Sequence, residues 1–432
     1  MNEQTDKENN YLLETLLQGE PPENNIINQL SVGVNFITDF WRQEYFKDYI
    51  KEGGSKIKFI TGQPGSGKSH LLKLMSSIAK EENYVTVSFS AKDIWLNDFK
   101  EIYKEIIKRC DFSALLNKIC NNVIRELGFN PEEISVGQNF INYLSETGNN
   151  DPLTRRSIII YLNNIFLNNP LMDNNFAYVC SLLCGGILGH PLLEKYNEQM
   201  LLSWIHCDNT VKLSSLRKLG FFPSRISKYN ARHMLRSLTE IIKLAGYSGL
   251  FVCIDNLDEI LNKSSISLLH YTKMKREDSY ESIRQLIDEI DTFRNIMFVF
   301  SFERKLIDND GKGLKSYQAL WMRIQNEVVG KRLNKFTDFL DLDKLAVQIY
   351  TPKVLVEMSR KLASIIDYMD VETKVIDEDT ARKLIDKAKI SNISIPRLVN
   401  YATLKSKVIN NSETVERLIL LPTNIEGETD NV

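Results

Sequence analysis

Hydrophobic and polar positions alternate in some stretches of this 432-residue chain and recur at helical spacing in others. Residues 1–25 are polar and rich in Asn and Glu, and read as a loose segment. Around Val34–Tyr49, Phe36, Ile37, Phe40, Trp41 and Phe46 share one helical face. Lys56–Thr61 alternates and then turns apolar, predicting a first strand. Tyr84–Ser90 is β-branched and alternating, predicting a second. Gly249–Ile254 and Asn295–Ser301 are short continuous apolar runs, the pattern of buried parallel strands. Leu345–Tyr350 is a shorter fifth strand candidate.

From Trp95 to Lys243 the periodicity is mostly helical, with breaks at Asn130-Pro131, Asp151-Pro152, Asn169-Pro170, His190-Pro191 and Phe222-Pro223. Three helix-like segments close the pattern: Pro352–Tyr368, Asp377–Ala388 and Ile395–Val408. The fold expected is α/β: a parallel sheet, a large helical insertion and a C-terminal helical lid. The divisions are 1–25, a core made of 26–94 and 244–350, an insertion at 95–243, a lid at 351–410 and an acidic tail at 411–432.

Gly62-Gln63-Pro64-Gly65-Ser66-Gly67-Lys68-Ser69 lies between the first strand and a helix that continues through His70. The glycines let backbone N–H groups wrap an anion closely, and the helix start adds unpaired N–H groups and a positive dipole end. Lys68 would contact the outer phosphates of ATP, and Ser69 would hold Mg²⁺. His70 completes the nucleotide-binding set. With the strand before it and the helix after it, this is the most specific signal in the chain.

Asp255 follows the Gly249–Ile254 strand and suits Mg²⁺, directly or through water. The next residue is Asn256, which cannot accept a proton as a catalytic base would. Two readings stay open. Asp258 or Glu259 is the displaced base, or hydrolysis is slow and the protein is a nucleotide switch. Helix capping is the plainer role for both carboxylates. Ser301 ends the fourth strand, where ligands of open α/β sheets bind. Arg323, with Arg332 as its rival, could reach a neighbouring subunit's ATP, although a surface ion pair explains either. Arg397 opens the last lid helix behind Pro396, at the first turn that proline favours.

Composition narrows the class without naming a function. Hydrophobic residues make up 43% and charged residues 25%, as in an ordinary soluble globular protein. The formal net charge of -2 does not announce a nucleic-acid binder, and the lid has no continuous basic stripe. Six cysteines without Cys-x-x-Cys spacing read as reduced thiols, Cys180 and Cys184 as buried small hydrophobes. The polar N-terminus does not resemble a signal peptide, and no run reaches the ~20 apolar residues of a membrane span. A soluble cytoplasmic protein is expected.

The strand series and lid resemble the AAA+ class, closest in layout to its origin-recognition and signalling branches. Asp255-Asn256-Leu257-Asp258-Glu259 is similar to the Asp-x-x-Asp variants of signalling ATPases. A narrower likeness runs from about Ile26 to Tyr401. It comprises Ile27–Gly33, Phe59–Ser69, Leu201–Trp204, Leu216–Gly220 and, most family-specific, Ala245–Leu250. That series resembles the P-loop ATP-binding protein of BREX phage-defence systems, the BrxD-like family. The resemblance implies an ATPase subunit that uses ATP and Mg²⁺ and acts with other defence proteins on DNA, with a homo-oligomer among the assemblies it allows. It also implies a sensor role for Ser301 and a nucleotide contact for Arg397.

Overall fold

A computed structural model describes residues 11–12, 15–16, 20–22, 24–189, 193–262, 269–325, 337–367, 373–391 and 393–408. The 411–432 tail, His190 and Arg332 lie outside the described residues.

Five strands form one parallel sheet: β1 Ser55–Gly62, β2 Tyr84–Ser90, β3 Gly249–Asp255, β4 Ile296–Glu303 and β5 Phe339–Asp341. Their spatial order is β2-β3-β4-β1-β5. The helices used below are α1 Asn24–Leu30, α2 Lys68–Glu81, α3 Ala231–Leu244, α4 Lys273–Asp288, α5 Leu342–Ile349, α6 Pro352–Asp367, α7 Glu378–Ser391 and α8 Ile395–Val408.

Strand alternation sorts the sheet's side chains into two layers. Phe251, Cys253, Met297 and Val299 pack with Leu71, Leu74 and Met75 of α2. Leu250, Val252, Ile254, Phe298 and Phe300 face the other way, toward the insertion. Both faces are covered, which is why β3 and β4 read as unbroken apolar runs.

Between β2 and β3 the described chain is helical. Asp98, Asp111, Asn139, Asp151 and Asp173 each accept an N–H at a helix start, so the Asp151-Pro152 break is a capped beginning. The hydrophobic contacts run unbroken from the sheet into Leu115, Ile119, Leu183 and Leu238. All six cysteines are buried as unpaired thiols, and burial pushes Cys110 and Cys253 up to about 12.

The fifth strand expected at Leu345–Tyr350 is a helix instead. Residues Leu342–Ile349 form α5, and β5 is the three-residue Phe339–Asp341 before it. Asp341 accepts from the N–H groups of Asp343 and Lys344 and so starts the helix. Leu342 and Leu345 are buried and Ile349 packs beside them, a helical spacing, while Val347 is 77% exposed. The expected helix at Val34–Tyr49 also changes form: Asn35–Phe40 is α-helical, and Trp41–Tyr49 continues with the wider π spacing.

Helices α6, α7 and α8 pack around Leu355, Ile376, Ala381, Ile395 and Val399. A second cluster joins Leu362, Ile366 and Leu404 to Leu16, so the N-terminal segment reaches the C-terminal helices.

Candidate nucleotide site

The glycine-rich loop leaves the carboxyl end of β1, one strand over from the end of β4. Gly62 is in register with Glu303, and the Arg304 N–H donates to the Gly62 carbonyl at 3.3 Å. Gly65 and Gly67 have φ of +76° and +94°, in the left-handed region that glycine enters without strain. A Cβ on Gly65 would stand 3.0 Å from Arg397 Cβ and Cδ and 3.1 Å from Ser394 Oγ. The start of α8 therefore packs directly against the loop. Ser394 Oγ also donates to the Pro64 carbonyl at 3.2 Å.

The loop's backbone is only partly engaged. Ser66 N–H donates to the Gln63 carbonyl within the turn, and Gln63 N–H donates to Asp343 at 2.9 and 3.1 Å. Among the described residues, no acceptor is bonded to the N–H groups of Gly65, Gly67, Lys68 or Ser69. Ser66 Oγ is buried and likewise has no partner among them. Lys68 folds back, donating to the carbonyls of Gly62 at 2.9 Å and Gln63 at 3.0 Å. Burial lowers its ammonium pKa, opposed first by the carboxylate of Glu303.

Three elements meet at Asp255. Ser69 Oγ donates to Asp255 Oδ2 at 2.5 Å, joining α2 to β3. Ser301 Oγ donates to Asp255 Oδ1 from β4. Register explains the meeting: Ile254 pairs with Phe300, so Asp255 at the end of β3 lies beside Ser301, which stands two residues before the end of β4 rather than at its end as expected. A serine hydroxyl beside an aspartate, next to free loop amides, is a donor set that fits Mg²⁺.

Asn256 has φ +58°, a conformation asparagine tolerates better than glutamate. Its Oδ1 accepts from Ser90 Oγ at 3.0 Å, and its N–H donates to Asp255 Oδ1 at 2.8 Å. The departure from glutamate at this position thus has a backbone reason. Asp258 and Glu259 are both buried. Asp258 accepts from the Glu303 N–H at 2.9 Å and pairs with Lys305 at 2.7 Å. Glu259 accepts from Asn262 Nδ2 at 2.8 Å.

His70 Nε2 lies 2.8 Å from Ser31 Oγ. Burial drives its pKa down to about 4, so near neutral pH it presents a neutral ring to the loop. Arg323 points elsewhere: it pairs with Asp288 of α4 and donates to the Ala319 carbonyl at 2.6 Å. This is a surface ion pair between two helices.

Several site residues escaped the sequence reading. Arg304 Nη1 donates to Asp341 at 3.0 Å and reaches Asp343 at 3.5 Å, tying the ends of β4 and β5 behind the loop. The signal available was Asp341-Leu342-Asp343, an acidic start to a helical i, i+3, i+7 pattern. Glu303 carried no signal beyond its place two residues after Ser301.

A cavity of about 200 Å³ adjoins the loop. Val32, Leu345, Ile349, Leu362 and Pro396 line its apolar part. Gly33 has φ +76°, and a Cβ there would stand 2.6 Å from Ile349 Cγ2, so only glycine lets this chain lie against α5.

These features define a parallel α/β protein with a glycine-rich loop at the sheet's carboxyl edge and a helical cap over it. The family described as BREX system ATP-binding protein BrxC/D matches residues 5–397, and the chain belongs to that family. No curated protein and no solved structure matches it. Among the described residues, no helix is long and apolar enough to cross a membrane.

Proposed function

We propose that the chain is a P-loop ATPase of AAA+ type that works inside a BREX defence system. The observation that carries this reading is the convergence of free loop amides, Lys68 and the Ser69–Asp255–Ser301 cluster at one sheet edge. The strand order, with β1 and β3 flanking β4, supports it.

In this reading the ATP phosphates lie along the amides of Gly65, Gly67, Lys68 and Ser69, which have no protein acceptor among the described residues. Lys68 exchanges the carbonyls of Gly62 and Gln63 for phosphate oxygens. Ser69 and Asp255 hold Mg²⁺, which when bound neutralises charge building on the phosphates. Ser301 orients Asp255. Arg397 and Ser394 bring the lid to the phosphates through Gly65. The apolar cavity takes the base, with Val32 and Ile349 as its walls.

Turnover would be coupled to partner proteins of the same system acting on DNA. The BrxC/D family membership supports the defence setting. Self-association would bring Arg323 to a neighbour's nucleotide only if it leaves Asp288.

A second reading, a nucleotide switch with little hydrolysis, is favoured by one observation. Asn256 occupies the position after Asp255, cannot accept a proton, and its Oδ1 is bonded to Ser90. Steady-state ATP turnover with and without Mg²⁺ and duplex DNA separates the two. The ATPase reading expects Mg²⁺-dependent turnover that Asp255→Asn abolishes; saturable ATP binding without turnover in any condition favours the switch.

A further inference from the structure

The carboxylates at the sheet edge are not equally free. Asp255 is taken by Ser69, Ser301 and the Asn256 N–H. Asp258 has one oxygen on the Glu303 N–H and the other on Lys305. Asp343 holds the Gln63 N–H. Glu259 is buried and bonded to Asn262.

Glu303 differs. Met297 and Val299 of β4 pack toward α2, so by alternation Ser301 and Glu303 face the same side, toward the loop helix. Glu303 ends β4 in register with Gly62, the first residue of the loop. Its side chain is 28% exposed, open enough to meet water. Among the described residues its side chain pairs only with Lys305 at 2.8 Å, a lysine 55% exposed and shared with Asp258. A carboxylate in register with the start of the loop, on the side of the sheet that the loop helix covers, faces the edge where the reading above puts the outer phosphates.

We propose that Glu303 is the general base for ATP hydrolysis, filling from β4 the role that Asn256 cannot fill from β3. The inference rests on the ATPase reading above. A water oxygen bonds to the γ-phosphorus while the bond from that phosphorus to the β,γ-bridging oxygen breaks. ADP leaves with the bonding electron pair. The water's proton passes to a Glu303 carboxylate oxygen and from there to solvent. Asp258, through the Glu303 N–H and the shared Lys305, positions the end of the strand.

The test compares ATP affinity and single-turnover hydrolysis in wild type, Glu303→Gln, Glu303→Asp and Asp258→Asn. Glu303→Gln should bind ATP as wild type does, which also reports that it folds. Its turnover should fall by about 100-fold or more, with part of the rate retained by Glu303→Asp. Turnover of Glu303→Gln within about threefold of wild type overturns the assignment, given the 10²–10⁴-fold that general bases contribute. Loss in Asp258→Asn alone overturns it as well. A wild type that binds ATP without hydrolysing it also removes this role while leaving nucleotide binding intact. A wild type that fails to bind ATP instead removes the reading beneath it.

Discussion

Asp343 accepts the Gln63 N–H with both carboxylate oxygens, at 2.9 and 3.1 Å, across 280 positions of sequence. This pair ties the start of α5 to the glycine-rich loop, and Arg304, just past the end of β4, reaches Asp343 at 3.5 Å. Removing the acceptor strands a half-buried N–H and takes from Arg304 the longer of its two contacts here, leaving it on Asp341. Asp343→Ala is therefore expected to cost about 1–3 kcal/mol in chemical denaturation. Asp343→Asn keeps one acceptor and should cost less. Burial raises the Asp343 pKa, so its ionisation works against the fold. Its favourable contribution is full below the ordinary aspartate range and is lost as pH rises through the raised value. The stability of wild type relative to Asp343→Asn should fall as pH increases through that window. A difference that grows with pH contradicts this account.

Asn256 gives a second prediction. At φ +58° a glutamate pays the left-handed penalty, on the order of 1 kcal/mol, and loses the Ser90 contact. Asn256→Glu should lower the melting temperature without raising turnover, while Asn256→Gly should be nearly neutral in stability. A gain in ATP turnover in Asn256→Glu would mean the site is one substitution from a conventional base, against the role given to Glu303.

The strand-to-helix difference at α5 is testable by mutation. In a strand, Leu345, Val347 and Ile349 would share one buried face. In α5, Leu345 is buried and Val347 is exposed. Leu345→Ala should cost about 2–5 kcal/mol, whereas Val347→Asp should stay within about 0.5 kcal/mol. Equal losses at both positions would restore the strand.

What could be read from the chain follows the range of the interactions. Tyr84–Ser90 was legible to the residue because an alternating β-branched run encodes its own element. The loop was legible because glycine spacing and the following helix are contiguous. Strand β5 was not, because three residues carry no period and only their pairing with Phe59, Ile60 and Thr61 of β1 defines it. Asp258 and Arg323 illustrate the same limit. Their residue types suit catalysis, but the partners that occupy them, Lys305 and Asp288, are set by tertiary packing. Arg397 was reachable from its place behind Pro396, and its contact with Gly65 is a tertiary fact.

The measurement closest to the central claim is a calorimetric ATP titration of wild type against Lys68→Met, which removes the ammonium while keeping most of the buried side-chain volume. The nucleotide-site account predicts one saturable site in wild type and at least about tenfold weaker binding in the variant, a loss of ~1.4 kcal/mol or more. Equal affinity in both proteins would place the nucleotide somewhere other than this loop.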